Sequence, residues 1–153
     1  MSQFSTVTSR LLTLLPTLPG WSTVAVFDGE PIAAVDGLDY CLVGYSEPDG
    51  EGRFRRGAFT ADLSRVGNAF EEEVGAVACE LSCNTGDDDL LAVRTRLEAL
   101  CDAVRTSLRA DRTLGVLPRG SVATFSADLY GTKNVHGSGV SALFTISYVT
   151  TPY

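Results

Sequence analysis

The chain has 153 residues, of which 44% are apolar and 20% charged, a composition typical of one globular domain. Twelve Lys and Arg against 19 Asp and Glu give a formal net charge of −7. This balance argues against a general nucleic-acid-binding protein, which needs a basic surface to neutralise phosphates. Residues 71–89 hold seven acidic residues and no basic ones, so this segment accounts for the whole acidic excess.

Two classes of segment are not indicated by the sequence. No stretch has the ~20 successive apolar residues that a membrane helix requires. The first ten residues lack the charged start and the apolar run of a signal peptide. We therefore expect a protein that is made in a cytoplasm and does not associate with a membrane, with its four cysteines reduced.

The first part of the chain predicts one helix and two strands. A Ser/Thr-rich start followed by leucines predicts a short helix over residues 4–15, ended by the prolines that follow. Trp21 is expected to anchor this helix to the sheet. Residues 22–27 predict a strand that ends at an Asp-Gly turn, and the apolar run 39–45 predicts a strand buried on both faces.

The middle of the chain predicts a basic loop and a long hairpin. Residues 46–57 are rich in glycine and form a loop with a positive patch, made by Arg53, Arg55 and Arg56. Two runs, 58–66 and 71–83, follow as an antiparallel hairpin, and the second alternates apolar and polar residues as a half-buried strand does. Near the hairpin tip lie Asn68, Glu71, Glu72 and Glu73. We expect these glutamates to be in contact with solvent.

The last part of the chain predicts a long helix and a second hairpin. Apolar residues recur at spacings of three and four over residues 87–110, from Leu90 to Leu108. Three aspartates at its start and Arg109 at its end suit the helix dipole. Strands over 121–130 and 139–150 follow, joined by a connection from Gly131 to Gly139.

The order of these elements predicts an α+β fold over a single domain, residues 1–153. We expect a mixed, mostly antiparallel sheet, with a short N-terminal helix and one long helix packed on it, plus a long β-hairpin.

Candidate sites for chemistry are weak. His136 is the single histidine and has no nucleophile motif around it. Cys79 and Cys83 lie ~13 Å apart along a strand, too far to share one metal ion, and the other two cysteines come from distant elements. The three aspartates at 87–89 lack the spacing of a calcium loop and are better explained as a helix start. We expect no catalytic, cofactor or metal site, and no enzyme activity.

One pattern resembles a known family. Its parts are the segments Cys79-Glu80-Leu81-Ser82-Cys83, Gly86-Asp87-Asp88-Asp89 and Leu108-Arg109-Ala110-Asp111, together with Val26-Phe27-Asp28-Gly29 before Cys41-Leu42-Val43-Gly44-Tyr45. This pattern, with the opening helix and closing hairpin, is similar to the tail terminators of long-tailed phages with actinobacterial hosts, also called tail-completion or neck proteins. It departs in Arg112, where the family pattern has proline.

The resemblance implies a structural protein of the virion. Tail terminators form a ring, usually a hexamer, which caps the tail tube and stops the addition of further tube subunits. Such a ring contacts the major tail tube protein and the head-completion or connector protein, and DNA passes through its lumen. The family has no catalytic residues to transfer. A stopper or adaptor protein of the head–tail connector is an alternative, as is a small ligand-binding domain or an enzyme.

The charged segments suggest where ring contacts form. Ring closure requires two different, complementary faces on each subunit. We hypothesise that the basic loop (Arg53, Arg55, Arg56) and the acidic hairpin region (Asn68, Glu71, Glu72, Glu73) form protein interfaces between subunits or rings. An acidic lumen would also repel the DNA backbone and let DNA slide.

Overall fold

The computed structural model describes residues 2–30, 39–46, 50–62, 72–86, 89–134 and 137–150. In chain order its elements are α1 (Gln3–Leu14), β1 (Ala25–Asp28), β2 (Tyr40–Val43), β3 (Gly57–Asp62), β4 (Glu72–Thr85), α2 (Leu90–Ala110), β5 (Val122–Asn134) and β6 (Gly137–Val149). Short 3-10 turns at Leu15–Thr17 and Trp21–Thr23 join α1 to β1. The expected α+β fold, with a short first helix and one long helix, is confirmed.

The six described strands form one mixed sheet. Five of them lie in the order β1-β2-β4-β6-β5, and β3 pairs with β4 outside this order. Among these described strands, the β1–β2 pair is parallel and the other pairs are antiparallel. One edge of β4 pairs with β6 along nearly its full length. The other edge of β4 pairs first with β3, over Glu72–Val77, and then with β2, over Cys79–Ser82. Strand β3 therefore lies in line with β2, outside the main strand order.

The helices cover one face of the sheet. The odd-numbered residues of β4 from Glu73 to Cys83 and the even-numbered residues of β6 from Val140 to Tyr148 are buried, as the predicted alternation requires. Their side chains pack with α1, α2 and Trp21 in one core. Six apolar residues of α2 face that core: Val93, Leu97, Leu100, Cys101, Val104 and Leu108. The helix thus has the apolar stripe that the spacing predicted, but Leu90, expected on that stripe, is exposed because it lies in the first turn.

Several boundaries differ from the prediction. Residues 21–23 form a 3-10 turn, and β1 begins only at Ala25. The connection expected between Gly131 and Gly139 is mostly strand, since the β5–β6 ladder continues to the pair Asn134–Gly137. The glycines do not end the strands because backbone hydrogen bonds of the ladder need no side chain. Strand β2 has three successive buried residues, so its burial on both faces is confirmed.

Caps account for both helix starts. The Ser2 hydroxyl accepts a hydrogen bond from the Phe4 amide, and the Asp89 carboxylate accepts one from the Ala92 amide. Trp21 is buried, and its indole donates to the Leu100 carbonyl at 3.1 Å. Trp21 therefore ties the second 3-10 turn to α2, and it packs in the core with residues of α1 and of the sheet. Among the described residues, no helix has the length and apolar character needed to cross a membrane.

Candidate functional site

Arg56 stabilises the ends of the first two strands. Its guanidinium forms an ion pair with Asp28 at the end of β1. It also lies against Gly44, where a Cβ would approach its Nη2 to 3.0 Å. The Arg56 carbonyl accepts a hydrogen bond from the Ala78 amide of β4. Arg56 is thus committed to holding the loop against the sheet within its own subunit.

The other two arginines of the loop extend into solvent. Arg53 forms an ion pair with Glu51 at 3.0 Å, and both side chains are 75% exposed. Arg55 is exposed, and its carbonyl accepts a hydrogen bond from the Ser46 hydroxyl. An exposed ion pair contributes little stability, so Arg53 can exchange Glu51 for a partner at low cost. Their loop is anchored by the contact between the rings of Tyr45 and Phe54, whose centroids lie 5.2 Å apart with the planes tilted by 37°.

The acidic hairpin residues divide into two environments. Glu72 is exposed, whereas Glu73 is only 5% exposed. The expectation that Glu73 is in contact with solvent is therefore wrong. The physical reason is the strand alternation itself, which directs Glu73 to the same face as the buried Val77. Asn68 and Glu71 lie outside the described residues.

Glu73 receives hydrogen bonds at the start of α1. Its carboxylate accepts from the Ser2 hydroxyl at 3.0 Å, from the Gln3 amide at 3.0 Å and from the Tyr148 hydroxyl at 2.7 Å. A carboxylate at a helix N-terminus is favoured by the helix dipole and by the unpaired amides there. Glu73 therefore docks α1 on the sheet and is a structural residue, not a contact for another subunit.

Gly75 leaves the space in which the Tyr148 ring packs beside Glu73. A Cβ at Gly75 would lie 2.3 Å from the Tyr148 hydroxyl oxygen, so only glycine leaves room for the ring. Burial, followed by the hydrogen bond to Glu73, raises the pKa of Tyr148. The phenol stays protonated and donates to the carboxylate over the physiological range.

The four cysteines are buried thiols without disulfides. Burial raises the pKa of Cys79 and of Cys83 to about 12, and that of Cys101 to about 11. Thiols in this state are poor nucleophiles. No group of three or more metal-ligating side chains occurs in the part of the chain that the structure describes. His136 lies outside that part.

The exposed Arg55 and Glu72, both expected at subunit contacts, lie at opposite ends of β3. Arg55 precedes the start of β3, where Gly57 pairs with Val77, and Glu72 lies opposite Asp62 at its end. Five residue steps of ~3.3 Å put these ends ~17 Å apart. The basic loop and the exposed acid therefore do not meet within one subunit.

A groove between α2 and β5 is the surface that sequence patterns missed. Its floor is formed by Phe125, Ala127 and Leu129 of β5. The wall, from α2 and the turn after it, carries Glu98 and Asp102 at one end and Arg105, Arg109 and Arg112 at the other. Two adjoining cavities of about 300 and 350 Å³ make up the groove, sharing Arg105 and Phe125. The sequence shows the helical periodicity of α2 and the strand periodicity of β5 separately. It does not show how much of β5 the helix covers.

No protein-family model matches the chain. No curated protein sequence matches it at a significant level.

Proposed function

We propose that the chain is a structural protein of a long-tailed phage, similar to tail terminators. In this proposal it forms a ring that caps the tail tube, ends tube elongation and joins the tail to the head-completion complex. The virion neck is then its location, and its partners are itself, the tail tube protein and the connector protein.

One feature of the fold carries the proposal beside the sequence resemblance. The described strands make a single sheet with both helices on one face. At each side of the sheet lie strands that have a neighbour strand on one edge alone, β5 on one side and β3 and β1 on the other. A subunit with two different open strand edges can bind a further copy at each edge in a head-to-tail arrangement. A ring requires head-to-tail contacts of this kind.

The helix-free face of the sheet supports the passage of DNA through such a ring. Glu72, Glu80 and Asp128 project from this face, by their register with neighbours on the side opposite the helices. None of the described strand residues on this face is Lys or Arg. If the face lines the lumen, it repels phosphates and leaves DNA free to slide.

Electron microscopy of growing tubes tests this function. Tubes are polymerised from the tail tube protein encoded in the same genome, with and without the purified chain. We expect rings at tube ends and a halt in elongation once the chain is added. Tubes that elongate unchanged, with bare ends, would contradict the proposal. Binding to the head connector but not to tubes would favour a stopper or adaptor instead.

A further inference from the structure

The segment 126–131 of β5 is exposed on both faces of the sheet. Residues 126–131 are all exposed, among them Leu129 (57%) and Tyr130 (53%). Only β6 pairs with β5 among the described strands. The outer edge is closed near its start, where the Ala123 amide donates to the Arg112 carbonyl at 2.8 Å, so the part open to a further strand lies beyond that residue. A long strand with an open edge and apolar side chains is a template for a further strand.

Strand β3 offers a matching edge on the other side of the sheet. It pairs only with β4 among the described strands. Phe59, on the helix-covered face of β3, is 51% exposed although its ring lies 6.0 Å from that of Phe4. Both edges thus present a large apolar side chain on the same face of the sheet, Phe59 on β3 and Leu129 on β5.

The topology sets the direction in which two such edges meet. Strand β4 is antiparallel to both β3 and β6, and β5 is antiparallel to β6, so β3 runs opposite to β5. A second copy displaced sideways in the plane of the sheet therefore presents its β3 antiparallel to β5. The helices of both copies then lie on the same face, as in a ring subunit that repeats without inversion.

One end of the groove has a charge that suits this arrangement. The groove beside β5 is basic near the strand's start, at Arg109 and Arg112, and acidic further along, at Glu98. In the antiparallel arrangement, the exposed Arg55, before the incoming β3, lies toward the acidic end. Glu72 lies at the other end of the incoming hairpin but projects from the helix-free face, so it does not face the arginines of the groove.

We propose that β5 of one copy pairs antiparallel with β3 of a second copy, so that Phe59 of the second copy enters the groove beside Leu129. This extends the sheet from subunit to subunit and rests on the proposed function, since it specifies the contact by which the ring forms. The partner is a second copy of this chain, and the contact is head-to-tail.

Two single-edge variants test the pairing. Leu129→Lys places a charge on the β5 edge and leaves β3 intact, whereas Thr60→Lys does the same for β3 and leaves β5 intact. Phe59→Lys is a second β3 variant, and Val116→Lys, on an exposed residue of the turn after α2, is the control. Association of the full chain is measured by analytical ultracentrifugation and native mass spectrometry across concentration.

We expect the wild-type chain and Val116→Lys to associate alike, and each edge variant alone to associate at least tenfold more weakly. Mixing Leu129→Lys with Thr60→Lys should restore one contact and give a 1:1 dimer that does not grow further. Self-association of Thr60→Lys at wild-type strength would instead indicate a β5–β5 contact and overturn the pairing. So would equal association of all variants, which would leave the proposed function standing on other contacts.

A wild-type chain that stays monomeric at all concentrations, even with tubes present, would also overturn the pairing. Binding of that monomer to tube ends would support tube capping alone and would contradict the ring in the proposed function. Conversely, a ring that forms through both edges but ignores tail tubes would confirm the pairing and contradict the proposed function.

Discussion

Strands β4 and β5 have nearly equal length, 14 and 13 residues, but opposite environments. β4 has neighbours on both edges and buries one face from Glu73 to Cys83, including the carboxylate of Glu73. β5 has one neighbouring strand among those described, and its segment 126–131 is exposed on both faces of the sheet. The comparison teaches that position in the sheet, more than local pattern, separates residues that hold the fold from residues available to a partner.

The largest difference between the strands should appear at Glu73. We expect Glu73→Ala to lower the free energy of unfolding by about 4 kcal/mol, because it leaves the buried Tyr148 hydroxyl and the part-buried donors of Ser2 and Gln3 without their acceptor. The exposed neighbour Glu72 provides a matched control, since Glu72→Ala should change the free energy of unfolding by less than about 0.5 kcal/mol. Urea denaturation measures both. Equal effects of the two variants would show that Glu73 is not buried.

Glycine substitutions on the two strands should differ in sign. Gly75→Ala on β4 pushes a methyl group into the Tyr148 ring and should cost about 2–3 kcal/mol of unfolding free energy. Gly131→Ala on β5 meets nothing within 4 Å and should be neutral or stabilise by about 0.5 kcal/mol. Thermal and urea unfolding of the two variants measure the difference. If Gly131→Ala lowered the free energy of unfolding as much as Gly75→Ala, the open position of Gly131 on β5 would be contradicted.

Alkaline pH should weaken the fold through the buried thiol of Cys79. Its pKa is raised from 9.0 to about 12 in the folded chain, so the unfolded chain loses this proton first as pH rises. The associated stability is complete below pH 9 and is lost as pH approaches 12, with a slope of up to about 1.4 kcal/mol per pH unit. Urea midpoints between pH 8 and 10.5 measure the slope. Cys79→Ala should reduce it, and an unchanged slope would contradict the burial.

The smallest effect is expected at the edge. Leu129→Lys should alter the free energy of unfolding by less than about 0.5 kcal/mol, since an exposed side chain away from caps and core contributes little. The measurement uses protein dilute enough for the wild-type chain to be monomeric. A large destabilisation would mean that β5 depends on Leu129 for folding, which would erase the contrast with β4.

Much of the fold was predictable from local patterns. The spacing of Val93, Leu97 and Leu108 predicted α2, and the alternation of Val77, Cys79 and Leu81 predicted a half-buried β4, because each pattern reports which side of an element is apolar. The two hairpins followed from successive runs separated by turn residues. Arg53 and Arg55 were correctly placed on an exposed loop, whereas Arg56 is committed to Asp28, a residue 28 positions earlier.

Glu73 shows where local reasoning fails. A glutamate among three in a row suggests solvent, yet strand parity directs it inward, where the start of α1 supplies donors. That start is 70 residues away in sequence, so no local pattern announces it. The extent of β5 was missed for a related reason, since glycine reads as a turn unless a partner strand continues the ladder.

The amino-acid sequence by itself determined the elements, their buried faces, the acidic net charge and the absence of a spaced catalytic motif, because these depend on neighbours within a few residues. Only the tertiary structure decided which strands lie at the edges, that α2 leaves a groove over β5, and that Glu73 is sealed beneath α1. Those features depend on contacts between residues far apart in the chain, whose partners are set by packing of the whole sheet rather than by any one segment.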